Sequence, residues 1–236
     1  MKKILLIIVL VIGVAQWWYR DPTISVPSND VSFSYIVKYT GNGGSKDNLP
    51  MLVALHGNGD TASHFYDTAL DQLHIPLRII LLKGPIPKGS GSAWPWSAAD
   101  FSQYGQAVNE AINALAYKFP TKQKPVLLGF SGGAMMAYYQ AVKHGDSYSY
   151  IYPVSGRLSD DLLGDDTIET GAPVFAYHGK SDSVISISGG KQAVGILQAN
   201  SVPVVFTEFD GGHHGLFKDM KTKITQDLEK RIEGLL

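Results

Sequence analysis

Ser131 lies within Gly129-Phe130-Ser131-Gly132-Gly133, between the apolar run Val126-Leu127-Leu128 and the small, helix-compatible Ala134-Met135-Met136-Ala137. That order predicts a strand, a sharp turn and a helix, with the serine hydroxyl at the tip of the turn. Glycine has no Cβ, so glycines around a strained residue let the strand and helix approach closely. A serine held this way can attack a carbonyl carbon. It then needs a base to take its proton, an acid to orient the base, and fixed N–H groups to receive the oxyanion. The bare pentapeptide also fits an ordinary glycine-rich turn, so the reading depends on whether the chain supplies those partners.

Two later segments supply an acid and a base in the order Ser, acid, His. Pro173-Val174-Phe175-Ala176-Tyr177-His178 reads as a buried strand, and Gly179-Lys180-Ser181-Asp182 follows it. Loops beyond the carboxyl ends of parallel strands are where ligands bind, which singles out Asp182 as the acid. A turn aspartate bonding its own backbone is the plainer alternative. Asp160, Asp161, Asp165 and Asp166 compete less well, because no apolar strand precedes them. Residues 202–209 form another strand-like run and lead into Asp210-Gly211-Gly212-His213-His214-Gly215. His213, directly after the glycine pair, is the favoured base, and His214 stays open as its rival. The pair could instead ligate a metal, but no third ligand stands at a recognisable spacing. His64, His74 and His144 read as surface residues, and His178 as a local hydrogen-bonding residue near the site.

A third apolar run, Met51-Leu52-Val53-Ala54-Leu55, ends in His56-Gly57-Asn58-Gly59-Asp60. A glycine-flanked turn after a strand can aim the Asn58 N–H at a developing oxyanion, alongside the N–H of Gly132. His56 is placed to brace that loop. An ordinary turn would use the same residues, and it is the match with the Ser131 segment that favours the oxyanion reading.

Taken together these segments resemble the phospholipase/carboxylesterase family of α/β-hydrolases, which includes acyl-protein thioesterases and small bacterial carboxylesterases. The resemblance rests, in family order, on Leu55-His56-Gly57-Asn58-Gly59-Asp60, Gly84-Pro85 with Ala93-Trp94, Gly129-Phe130-Ser131-Gly132-Gly133, Val154-Ser155-Gly156, His178-Gly179-Lys180-Ser181-Asp182 and Gly212-His213. It runs from about residue 50 to the C-terminus. It implies an α/β-hydrolase fold with Ser131, Asp182 and His213 as the triad and Asn58 and Gly132 as oxyanion donors. Some close relatives place glutamine after the nucleophile, where this chain has Gly132. The backbone N–H is unaffected, but the subfamily stays open. The expected reaction is two-step hydrolysis of a carboxylic ester, with an acyl ester or lysophospholipid-like lipid as substrate and no metal or organic cofactor. A triad alone does not separate ester, thioester and amide. A serine peptidase or amidase, and a non-catalytic envelope protein that binds a ligand, are the alternatives.

The chain has 236 residues, a formal net charge of −1 and no cysteine. Its length suits one substantial core. The absence of basic tracts argues against a nucleic-acid partner, and the absence of cysteine excludes disulfides and thiolate chemistry. Met1-Lys2-Lys3, the apolar residues 4–14 and the small Gly13-Val14-Ala15 resemble a secretory leader. Trp17, Trp18 and Tyr19 could instead extend the run into a membrane anchor. The expected division is a leader or anchor over residues 1–15, a linker over 16–30 and a catalytic domain over 31–236. Export predicts a periplasmic or secreted enzyme, and retention predicts one tethered to the inner membrane with its domain outside the cytoplasm.

Strands are expected at 31–40, at an edge, and at 51–55, 77–82, 125–129, 151–154, 174–178 and 204–209. Helices are expected at 62–73, 101–119, 132–143, 189–199 and 217–235. Their alternation predicts an α/β fold, a mostly parallel sheet with helices on both faces and no large lid. Residues 83–100, rich in Gly, Pro and Ser, form a long loop that suits a functional segment. Trp94 on that loop is a candidate wall of the substrate site, and Trp96 is expected to pin the loop to the body.

Overall fold

Residues along the central strands alternate between two cores. Met51, Val53 and Leu55 pack into one, Leu52 and Ala54 into the other. Leu127, Val174 and Ala176 join the first, while Val126, Leu128, Phe175 and Tyr177 join the second. This is the period of two expected of strands, with both faces buried, so each strand reads as a continuous apolar run. The structure, a computed structural model, describes residues 21–163 and 171–236.

The main sheet contains β1 (Thr23–Val26), β2 (Val31–Thr40), β3 (Met51–Leu55), β4 (Leu77–Leu82), β7 (Val126–Phe130), β8 (Tyr150–Val154), β9 (Val174–Gly179) and β10 (Val204–Phe209). Their spatial order is β1-β2-β4-β3-β7-β8-β9-β10. β2 is antiparallel to both of its neighbours, and every other pairing is parallel. A small hairpin, β5 (Ile86–Lys88) and β6 (Gly91–Ala93), stands apart from the sheet. The parallel strands bring the loops after β3, β7, β9 and β10 to one edge, and those loops carry Asn58, Ser131, Asp182 and His213.

Helices cover both faces. α2 (Ala98–Lys118), α3 (Gly132–Lys143), α4 (Asp160–Leu163) and α5 (Ile187–Ala199) pack on the first core. α1 (Ala62–Phe65) and α6 (Lys221–Glu233) pack on the second. α2 starts at Ser97, whose hydroxyl accepts the Asp100 N–H and donates to the Asp100 carboxylate. It buries Val108, Ala111, Ile112 and Leu115 on one stripe. α6 buries Ile224, Leu228 and Ile232 four residues apart, and each contributes about 1.5–3 kcal/mol by leaving water. α3 is buried along its whole length, which a helix running under the centre of a sheet requires.

Four expectations need correction. The linker expected over 16–30 is in part structured: Thr23–Val26 pairs with β2, Val26 enters the core, and the Ser28 N–H donates to Glu110 on α2. β2 is therefore not the edge strand, because β1 covers its outer side. The helix expected over 62–73 is shorter, since α1 passes at once into a wide π turn, Tyr66–Leu70. Residues 83–100 are not simply a loop, since β5 and β6 fold within them. No described helix is long and apolar enough to cross a membrane. The expected leader or anchor lies outside the described residues, as do Asp165 and Asp166.

Candidate active site

Ser131 stands between β7 and α3 with φ 54° and ψ −113°, a left-handed conformation costly for a residue with a Cβ. The surrounding glycines permit it. A Cβ on Gly129 would lie 2.2 Å from the Gly133 carbonyl oxygen, and one on Gly133 would lie 2.2 Å from the Leu55 carbonyl oxygen. Strand and helix thus cross at backbone contact, and the turn between them projects the serine hydroxyl outward.

The loops carrying His213 and Asp182 converge on that hydroxyl. His213 Nε2 is 2.9 Å from Ser131 Oγ, and His213 Nδ1 is 2.8 Å from Asp182 Oδ2. The other carboxylate oxygen, Oδ1, accepts the N–H groups of Val184 and Ile185, both at 2.9 Å. The two loops are stitched together by the Ser181 N–H, which donates to the Gly211 carbonyl at 3.0 Å. With Nδ1 donating to the carboxylate, Nε2 is left to accept the serine proton. Burial holds the His213 pKa below its ordinary value, outweighing the hydrogen bond and charge of Asp182, which act the other way. The neutral ring, the form able to act as a base, is therefore favoured. His214, the rival base, lines the cleft with its ring 5.2 Å from that of His213 and makes no hydrogen bond to Ser131 or Asp182. Asp160 and Asp161 lie in α4. Among the described residues no group of three or more His, Asp or Glu is arranged to hold an ion.

The loop after β3 is held from behind. The His56 Nδ1–H donates to the Gly57 carbonyl at 2.7 Å, which leaves Nε2 to accept from the Gly84 N–H and the Ser92 hydroxyl at 3.2 and 3.1 Å. The N–H groups of Gly59 and Asp60 are taken by the carbonyls of Ser92 and Gly57. The Asn58 N–H has no partner among the described residues. Gly132 is the first residue of α3, so its N–H has no intrahelical acceptor either, and the helix dipole favours negative charge there. The hairpin thus braces the loop that faces Ser131, a role its sequence does not advertise.

Trp94 is not a wall of the cleft. It is 1% exposed, its indole N–H donates to the His56 carbonyl at 2.8 Å, and its backbone N–H donates to Asn58 Oδ1 at 2.7 Å. An indole with a single N–H to satisfy is stable in that interior position, and from there it fixes Asn58. Trp96, expected to pin the loop, is 49% exposed and lines the cleft, with the Arg157 guanidinium 5.7 Å from its ring. The two tryptophans have exchanged the roles expected of them, because residue type does not reveal which way a loop turns.

The cleft over Ser131 has a volume of about 690 Å³. Phe130, Phe217, Trp96 and Val184 give it apolar walls, and Lys88 and Lys218 also line it. Phe130 packs edge-on against Phe217 at 4.7 Å and tilts against His213 at 5.1 Å, which supports the imidazole from the side. Nothing in the sequence marked Phe217 or Val184, since neither belongs to a motif.

A family model described as phospholipase/carboxylesterase matches residues 43–232. No curated protein matches the chain in sequence. Among solved structures, the carboxylesterase of Mesorhizobium loti superposes with a TM-score of 0.70 at 17% identity, covering 90% of this chain and 99% of that one. The Bacillus cereus carboxylesterase gives a TM-score of 0.69 at 14% identity, covering 86% and 95%. Zea mays acyl-protein thioesterase 2 gives 0.66 at 22% identity, covering 84% and 98%. Identities this low establish a shared fold, and the family match covers most of the chain. The chain belongs to the phospholipase/carboxylesterase family, and it is a carboxylic ester hydrolase with the α/β-hydrolase fold.

Proposed function

We propose that the protein hydrolyses acyl esters through an acyl-enzyme on Ser131. His213, oriented by Asp182, takes the hydroxyl proton as Oγ attacks the ester carbonyl carbon. The oxyanion is received by the N–H groups of Asn58 and Gly132. His213 then gives the proton to the leaving alcohol, and a water molecule repeats the steps to release the acid. The observation that carries this reading is the unbroken line of hydrogen bonds from Ser131 through His213 to Asp182, at 2.9 and 2.8 Å.

The proposed substrates are acyl esters or lysophospholipid-like esters. Trp96, Phe217 and Val184 suit an apolar acyl chain, and Lys88 and Lys218 on the same cleft suit an anionic group on the alcohol side. The basic-then-apolar start of the chain supports work outside the cytoplasm, in the periplasm or beyond, with a membrane tether as the alternative.

A panel of p-nitrophenyl acyl esters of increasing chain length, with Ser131→Ala as control, tests the reading. Turnover that disappears in Ser131→Ala is expected. Cleavage of peptide substrates with the esters untouched would instead assign a serine peptidase or amidase.

A further inference from the structure

His178 is a buried histidine that the reaction just described does not use. It lies near the end of β9, is 0% exposed, and sits four residues before Asp182. Its Nε2 is 2.8 Å from the Ile185 carbonyl oxygen and 3.4 Å from Asp182 Oδ2. A carbonyl can only accept, so Nε2 carries a proton. Nδ1 is then a bare acceptor, buried and without a hydrogen-bond partner among the described residues. It faces the backbone of α5 so closely that a Cβ on Gly190 would lie 2.5 Å from it.

A phenyl ring could fill this space without stranding a buried acceptor, and stranding one is costly. What the imidazole offers and a phenyl ring lacks is the Nε2–H. That proton reaches the turn that orients the acid. Ile185 is held at both ends: its N–H donates to Asp182 Oδ1, and its carbonyl accepts from His178. The Asp182 carboxylate has Oδ1 fixed by the turn and Oδ2 left for His213. At 3.4 Å from Oδ2, the His178 Nε2–H lies beyond a full hydrogen bond to the carboxylate, so its effect is exerted mainly through the turn.

We propose that His178 is a positioning residue for ester hydrolysis, locking the Asp182–Ile185 turn so that Asp182 Oδ2 faces His213. The proposal rests on Asp182 being the acid partner of His213. Gly190 belongs to the same device, because its missing side chain leaves room for the ring.

Three substitutions separate donation from packing. In His178→Gln the amide nitrogen can occupy the place of Nε2 and still donate to Ile185. In His178→Asn the amide falls near Nδ1, and in His178→Phe the volume is kept without a donor. On a p-nitrophenyl ester, kcat should fall by roughly 10–100-fold in the Phe and Asn variants, KM should stay within about twofold, and Gln should restore most of the rate. The acid limb of kcat/KM gives a second readout. His213 is faced by Asp182, which raises its pKa, and by His214 and His178, which lower it. Replacing His178 removes one of the lowering influences at the same time as it loosens Asp182, so the limb is read in Gly190→Ala, where His178 stays in place. Gly190→Ala, which crowds the ring without removing it, should lower kcat and, by loosening Asp182, move the limb to lower pH, and it keeps the test open should His178→Phe fail to fold by circular dichroism. A folded His178→Phe with the parent's kcat, or a Gln variant as slow as Phe, would overturn the proposal. Asp182→Ala is run in parallel: activity that survives it overturns the assignment of the acid, whereas activity lost there but kept in His178→Phe overturns the role of His178 alone.

Discussion

A β-carbon placed on Gly132 would lie 2.2 Å from Oδ1 of Asn58, an atom already held by the Trp94 N–H at 2.7 Å. The residue after Ser131 and the residue of the facing loop therefore share one space, and glycine leaves it to the asparagine. Gly132→Ala must push Asn58 away or move the start of α3, and either change displaces one of the two proposed oxyanion donors. We expect kcat to fall by about 10²–10³-fold, the range seen when one oxyanion donor is lost. Steady-state kinetics on a p-nitrophenyl ester measures it, and a Gly132→Ala variant with parental kcat would show that this contact has no bearing on turnover.

Burial holds His213 below the ordinary histidine pKa of 6.5, so kcat/KM should rise with pH along a limb whose midpoint lies under that value. His56 is depressed for the same first reason, desolvation by burial. Both bear on stability as well. Above pH 6.5 neither the folded nor the unfolded form binds these protons, and their contribution is constant. As pH falls below 6.5 the unfolded chain takes up protons first, so stability drops until the folded values are reached. Urea unfolding at a series of pH values, read beside the kcat/KM profile, checks both signs. A kcat/KM midpoint at or above 6.5 would contradict the placement of His213.

The two tryptophans of the 83–100 segment should behave in opposite ways. Trp94→Ala removes a buried ring and two anchoring contacts, and a loss of about 3–5 kcal/mol is expected, or a melting temperature lower by on the order of 10 °C. Trp96→Ala removes an exposed ring from the cleft and should leave the melting temperature nearly unchanged. It should instead raise KM for long-chain esters by roughly tenfold, the worth of about two buried methylenes. Thermal melts and a chain-length series on both variants decide the matter, and a Trp94→Ala protein that melts normally but binds esters poorly would reverse the assignment.

The parallel strands were legible because burial on both faces writes them as unbroken apolar runs, as in Met51-Leu52-Val53-Ala54-Leu55. The loops after β3, β7, β9 and β10 were legible with them, since glycines mark where those runs stop. β5 and β6 were not, because Ile86-Pro87-Lys88 and Gly91-Ser92-Ala93 are too short and too polar to show a period. The wide turn at Tyr66–Leu70 was hidden for the opposite reason, as its residues fit a continuous helix and tertiary packing decides otherwise. Within the site, the residues that the motifs supply come together around Ser131. The walls do not follow from motifs, since whether Trp94 or Trp96 faces the cleft depends on the hairpin that packs against the loop after β3. His178 shows the same limit, because its meaning depends on the distance to Ile185 and on the closeness of Gly190.

The most direct test is covalent labelling of Ser131 by a fluorophosphonate, located by peptide mass spectrometry in the parent, Ser131→Ala, His213→Ala and His214→Ala. The predicted result is an adduct on Ser131 in the parent and in His214→Ala, none in Ser131→Ala, and labelling slowed by about 10³-fold or more in His213→Ala. A parent protein that turns over esters without labelling at Ser131, or one in which His214→Ala and not His213→Ala abolishes labelling, would contradict the account.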